Sequence, residues 1–168
     1  MTESAISVLL GQLQSAFDRR SWHGTGLMGS LRGVDVELVT WRAQPARYNI
    51  AELAVHAAYW KYRVHRHLTD AEPRRFELAG SNFFERSGLL TETEWRGDLE
   101  LLRTWHRRLV AAAEAFPPDR LPERPGRHRF SYAELIAGAA AHDLYHAGQI
   151  QLIKRLHADR GGSNGLVV

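Results

Sequence analysis

The residues best suited to chemistry are His142 and His146, in the run His142-Asp143-Leu144-Tyr145-His146. The chain from Ser131 to about His157 has helical periodicity, and on a helix residues four apart sit one above the other. Both imidazoles therefore project the same way, about 6 Å apart, a spacing that can hold a divalent cation. Leu135, Ala139, Ile150 and Ile153 share this face, which puts the two rings on the core stripe. A buried imidazole nitrogen without a partner costs about 1–3 kcal/mol, so each ring needs a side chain, a water or a metal ion. Spacing alone leaves metal ligation and ordinary hydrogen-bonded core histidines equally open.

Four amphipathic segments are available to position such a site. The first runs from Glu3 to Arg20, with Ile6, Leu9, Leu10, Leu13 and Phe17 at helical spacing. The second opens at Asn49, with Glu52 placed to complete a capping box, and continues to about Leu68. Its apolar face is Ile50, Leu53, Ala57, Trp60 and Val64, and His56 stands at the margin of that face. The third starts at the capping box Thr91 to Glu94, carries Trp95, Leu99, Leu102, Leu109, Val110 and Ala113, and ends near Phe116 before Pro117-Pro118. After a loop over Asp119 to Phe130, the box Ser131 to Glu134 opens the fourth, which Gly161-Gly162 closes ahead of a short tail. Between the first and second, Leu27 to Val34 reads as a short helix, and Pro45 argues against regular helix in the stretch up to Tyr48.

The stretch Thr69 to Leu90 is polar and punctuated by Pro73 and Gly80. Its roughly twenty residues span up to about 66 Å when extended, enough to return along a bundle, so the third helix can run parallel to the second. The expected fold is all-α: one domain over residues 1–168, a four-helix bundle with a long crossover between helices two and three.

Composition excludes several classes. The chain has 168 residues and no cysteine, so disulfides, thiolate nucleophiles and cysteine-bound zinc are out, and a metal site must use nitrogen and oxygen. A net charge of +3 with arginines scattered among acids gives no nucleic-acid stripe. Met1-Thr2-Glu3-Ser4 carries no positive n-region, and no apolar run reaches the roughly 18–20 residues of a membrane span. A cytoplasmic protein without a membrane partner is expected.

Of the seven remaining histidines, only His56 combines a mid-helix position with an apolar stripe. Alone it reads as an ordinary interfacial residue; with His142 and His146 it would complete a three-nitrogen site with open positions. His23, His65, His67, His106, His128 and His157 read as solvated or structural, with His106 and His23 nearest the pocket. The tryptophans read as packing, with one available to roof the site, and Gln149 is placed to support a ligand. His-Asp-x-x-His differs from the zincin helix by a shorter acid, Asp143, at the edge of the stripe, and no strand is present to hold a peptide, which disfavours a protease.

The blocks Asn49-Ile50-Ala51-Glu52-Leu53-Ala54-Val55-His56 and His142 to Ile150, with the run Trp41-Arg42-x-x-Pro45, resemble the DinB-like superfamily. The resemblance implies a four-helix bundle with a crossover, a metal held by His56, His142 and His146, and a homodimer. It also implies chemistry of the kind found among relatives: thiol S-transferases that use bacillithiol or mycothiol, and a mycothiol-dependent isomerase. Zinc or nickel suits an all-imidazole site, acting as a Lewis acid on a low-molecular-weight thiol or small electrophile. Asp143 and Tyr145 are the nearest candidates for a base. The competing reading is a non-catalytic metal-binding stress protein. Because ligand imidazoles must be neutral, metal affinity is expected to fall as pH drops through about 6.5.

Overall fold

The computed structural model describes residues 4–19, 21–69, 75–86, 88 and 90–162. Among these the protein is all-α, with six α-helices, one 3-10 turn and no strand. The long helices are α1 (Ala5–Phe17), α4 (Ile50–Thr69), α5 (Glu92–Glu114) and α6 (Tyr132–Gly162), and the short ones are α2 (Leu27–Ser30) and α3 (Val36–Thr40). Glu3, Arg20, residues 70–74 of the polar stretch and the tail after Gly162 lie outside the described residues.

Each helix start has a local cause. Ser4 caps α1 and Asp35 caps α3, whose five residues fall where sequence periodicity gives no helix. At α4 the Asn49 side chain accepts from Glu52 N at 2.9 Å while Asn49 N donates to Glu52 Oε2 at 3.1 Å. Thr91 with Glu94 and Ser131 with Glu134 repeat this reciprocal box at α5 and α6. Each satisfies N–H groups that a helix leaves orphaned. Only glycine fits at Gly26, where a Cβ would lie 2.7 Å from the Ala16 carbonyl oxygen.

Helix α4 packs along α5 and α6, α1 packs on α6 and α5, and α2 lies against α6. One core cluster gathers Ile50, Val55, Tyr62, Leu102 and Trp105 with Ile150, and a second joins Leu13, Leu109, Ala113 and Ile136. The buried stripe of α6 is Tyr132, Ile136, Ala139, Ala140, Asp143, His146, Ala147 and Ile150. This corrects the expected face by about one position. Asp143 is at the centre of the stripe with no exposed surface, and His142 is at its half-buried margin. Trp60, expected in the core face of α4, is 39% exposed.

Residues 82–86 lie against the start of α4. Asn49 Nδ2 donates to the Arg86 carbonyl at 2.9 Å, and Arg86 N donates to Glu52 Oε1 at 3.3 Å. Glu52 is held in turn by Arg42, whose two terminal nitrogens reach its carboxylate at 2.6 and 2.8 Å, and the Arg86 side chain forks onto Asp98 at 2.8 and 2.9 Å. The Asp98 bond is the main cause that holds the Arg86 guanidinium above its ordinary range. These forked ion pairs are geometrically specific and tie Arg86 to the starts of α4 and α5.

Candidate metal centre

Helix α4 presents His56 toward α6, and α6 presents His142 and His146 on successive turns. The ligand-capable nitrogens of the three rings lie within 4.8 Å of one another. His142 Nε2 is 3.0 Å from His56 Nε2 and 2.9 Å from His146 Nε2. His56 and His146 are buried.

The outer nitrogens fix the protonation of the inner ones. His56 Nδ1 faces the Asn82 carbonyl oxygen at 2.8 Å; a carbonyl only accepts, so the proton sits on Nδ1 and Nε2 carries a lone pair. His146 Nδ1 faces Gln149 Oε1 at 2.6 Å and, with the amide in this orientation, donates to it, while Gln149 Nε2 donates to the Tyr145 hydroxyl at 3.3 Å. His146 Nε2 is likewise a lone pair. Both aim at His142 Nε2, and a neutral His142 can supply a proton to only one of them. A cation satisfies all three at once, and the donor set is of the type that holds a divalent metal, whose nitrogen ligands sit about 2.0–2.1 Å from the ion.

Burial keeps the rings neutral. Desolvation is the main cause that brings His142 down to about 3, with the neighbouring imidazoles and the Lys61 cation adding to it. It brings His146 down to about 4, partly offset by the Gln149 bond, and lowers His56 against the raising effect of the Asn82 carbonyl.

The supporting residues come from places where sequence gave little signal. Asn82 has φ 66°, in the left-handed region that asparagine tolerates better than most side chains, and its Oδ1 accepts from Trp60 Nε1 at 3.0 Å. Phe83 stacks on His56 with ring centroids 3.9 Å apart, and Tyr48 stacks on Phe83 at 3.7 Å. Trp60 stands beside the centre, 6.3 Å from the His56 and His142 rings.

His106 and His23 do not approach the three histidines. His106 stacks on Phe17 at 3.7 Å, and His23 is exposed beside Ser21. His67 and His128 instead share a cavity with His142. Tyr145 is 64% exposed. Asp143 faces away from solvent onto Lys61.

Fold and centre together define an all-helical protein with a buried three-histidine cluster between two of its long helices. A family model of the DinB superfamily matches residues 21–150, and the chain belongs to that superfamily. Neither the curated proteins nor the solved structures yield a match to the chain. No helix among the described residues is long and apolar enough to cross a membrane.

Proposed function

We propose that His56, His142 and His146 ligate a divalent ion, zinc or nickel, and that the protein is a metal-dependent enzyme using a low-molecular-weight thiol on small electrophiles, as an S-transferase or isomerase. The observation that carries this reading is the pair of Nδ1 bonds, to Asn82 and Gln149, that turn two Nε2 lone pairs onto one point. An ion held there supplies Lewis acidity, making a thiolate available near neutral pH. The chain's own part is to orient the rings, to keep them unprotonated, and to limit water through the Tyr48, Phe83 and Trp60 side chains around them.

The scaffold for this chemistry is read as one domain, a four-helix bundle of α1, α4, α5 and α6 with a crossover between α4 and α5. Supporting it, Arg86 bridges the start of α4 to Asp98 early in α5, and Tyr62 late in α4 meets Trp105 late in α5 at 5.0 Å, as parallel neighbours would. A homodimer through α6 is proposed on the exposed stripe of Tyr145, Leu152 and Leu156, which a second copy would cover; light scattering on the purified protein checks it.

One observation favours a non-catalytic metal-binding protein: Asp143 is bonded to Lys61 and Tyr145 to Gln149, so neither candidate base is free at the centre. Elemental analysis of purified protein, followed by thiol-transfer assays with and without the metal found, separates the readings. Stoichiometric metal with metal-dependent turnover supports the enzyme. Stoichiometric metal with no turnover across thiol and electrophile panels supports the binder, and no metal rejects both.

A further inference from the structure

Beside the histidine centre, a cavity of about 600 Å³ opens between α4 and α6 and the loop before α6. His142 is part of its wall. On α4 the wall follows His56 along one face, through Trp60 to Arg63 and His67, spacings of four, seven and eleven residues. At about 1.5 Å per residue, Arg63 is roughly 10 Å and His67 roughly 16 Å along the helix from His56. The volume is that of a small-molecule site.

Chemically the cavity has two parts. Trp60, Val64, Phe130 and Leu135 make an apolar trough, and Trp60 and Phe130 remain 39% and 44% exposed within it. Arg63, His67 and His128 line the same space, with the His67 and His128 rings 4.9 Å apart. Arg63 donates to the Tyr59 hydroxyl at 3.1 Å and has no carboxylate partner among the described residues. The one acid in the wall, Glu134, accepts from Ser131 N and Oγ at 2.7 and 2.8 Å in the helix cap. Burial, then His128, Arg63 and Arg66, lower the proton affinity of His67. Arg63 is thus the one Arg or Lys side chain in the wall, and the one acid there is engaged in a helix cap, so the cation faces an apolar trough without a carboxylate of its own, an arrangement that an incoming anion relieves.

We propose that this cavity binds a small amphipathic organic acid, its apolar body in the trough of Trp60, Val64, Phe130 and Leu135, its carboxylate on Arg63, His67 and His128, and its far end at His142. Calling the ligand a substrate rests on the metal-enzyme reading above; the binding itself does not. Arg63 supplies a forked pair of donors for the carboxylate, and His67 on the same helix and His128 on the loop before α6 add imidazole N–H groups.

Calorimetry on the full chain with 5-phenylpentanoate, its alcohol and its amine tests this. The acid binds about tenfold or more tighter than the alcohol, and the amine weakest. Arg63→Gln removes the advantage of the acid and leaves the alcohol within about twofold. A Cβ at Gly138, in the same wall, meets nothing within 4 Å, so Gly138→Leu is expected to place its side chain in the trough and weaken acid and alcohol alike, with circular dichroism as the control for folding. If Arg63→Gln does not fold, Gly138→Leu and His128→Gln decide. Equal affinities for acid and alcohol, a preference for the amine, or acid binding untouched by Gly138→Leu overturns the proposal. Metal is measured on the same samples. Absent metal with these dependences intact removes the enzyme reading alone. Acid binding that needs the metal and ignores Arg63 overturns the proposal alone.

Discussion

Lys61 Nζ donates to Asp143 Oδ2 at 2.5 Å, and neither side chain reaches solvent. This ion pair joins α4 to α6 beside the histidines, with Asp143 directly after His142, and the Lys61 ammonium also sits 5.0 Å from the Phe17 ring centroid on α1. Burying two charges costs several kcal/mol per ion before their attraction is counted. Asp143 Oδ1 has no hydrogen-bond partner among the described residues, which raises that cost.

Removing one member should therefore be worse than removing both. Lys61→Met leaves a buried carboxylate without its cation and is expected to destabilise by about 3–5 kcal/mol. The double substitution Lys61→Met with Asp143→Leu should recover most of that loss. Urea unfolding of the three proteins checks it; a double variant no more stable than Lys61→Met would mean that the pair contributes more than charge compensation.

The pair also shows what sequence can and cannot reveal. Capping boxes are local, so Asn49 with Glu52, Thr91 with Glu94 and Ser131 with Glu134 were legible, and with them the starts of three long helices. The histidine pair was legible because its spacing is a property of one helix. Lys61 lies on the spacing Ala54, Ala57, Lys61, Val64, and Asp143 on Ile136, Ala140, Asp143, Ala147; two opposite charges on two apolar stripes were the available signal that they meet. Asn82 and Phe83 gave none, because their position depends on how Arg86 docks onto Asn49, Glu52 and Asp98.

Asn82 offers a test of that loop. Its carbonyl orients His56 from a φ of 66°. Asn82→Gly keeps this backbone conformation and loses only the bond to Trp60, so metal affinity should fall by no more than about threefold. Asn82→Val puts a β-branched side chain where φ is positive, displaces the carbonyl, and should cost about 10–100-fold in metal affinity. Competition with a chelator of known affinity measures both. Equal effects would mean that the carbonyl does not orient the ring.

Acid should weaken the fold through His106. Burial, and secondarily the Lys61 cation, bring this ring down to about 3, below the ordinary 6.5 of the unfolded chain. The folded state therefore binds the proton less well: stability is full above about 6.5 and is lost as pH falls from there toward about 3. Asp143 acts the other way, since burial raises it to about 6 against the lowering effect of Lys61; its contribution is present below about 3.8 and is lost as pH rises through about 6. Comparison with His106→Phe isolates the first. The wild type should lose about 2 kcal/mol more than the variant between pH 7 and pH 4.5 in urea unfolding, and parallel losses would show that His106 titrates normally.

The same cause moves the window for metal release. An exposed imidazole site begins to lose metal near pH 6.5, but His142 and His146 are held down to about 3 and about 4. Burial lowers His56 as well, so protons should compete with metal only below the ordinary histidine range, and release should come at lower pH than from an exposed imidazole site. Dialysis across this range with elemental analysis checks it. Half-release at pH 6.5 would mean that the rings are solvated in the metal-free protein.

Gln149 allows the orientation of His146 to be tested by chemistry instead of deletion. Its Oε1 accepts the Nδ1 proton at 2.6 Å, which leaves Nε2 as the donor to a metal. Gln149→Ala removes that acceptor, lets the ring change tautomer or rotate, and should lower metal affinity about 10–100-fold with little change in fold. Gln149→Glu presents an oxygen at the same reach and should restore affinity to near the wild-type value, because a carboxylate accepts from Nδ1 and raises the basicity of the opposite nitrogen. Gln149→Lys offers only donors and should behave no better than alanine. Chelator competition on the three variants, with helical circular dichroism as the control for folding, gives the order. If lysine supports metal as well as glutamate does, the side chain at this position only fills space, and the tautomer of His146 is set elsewhere.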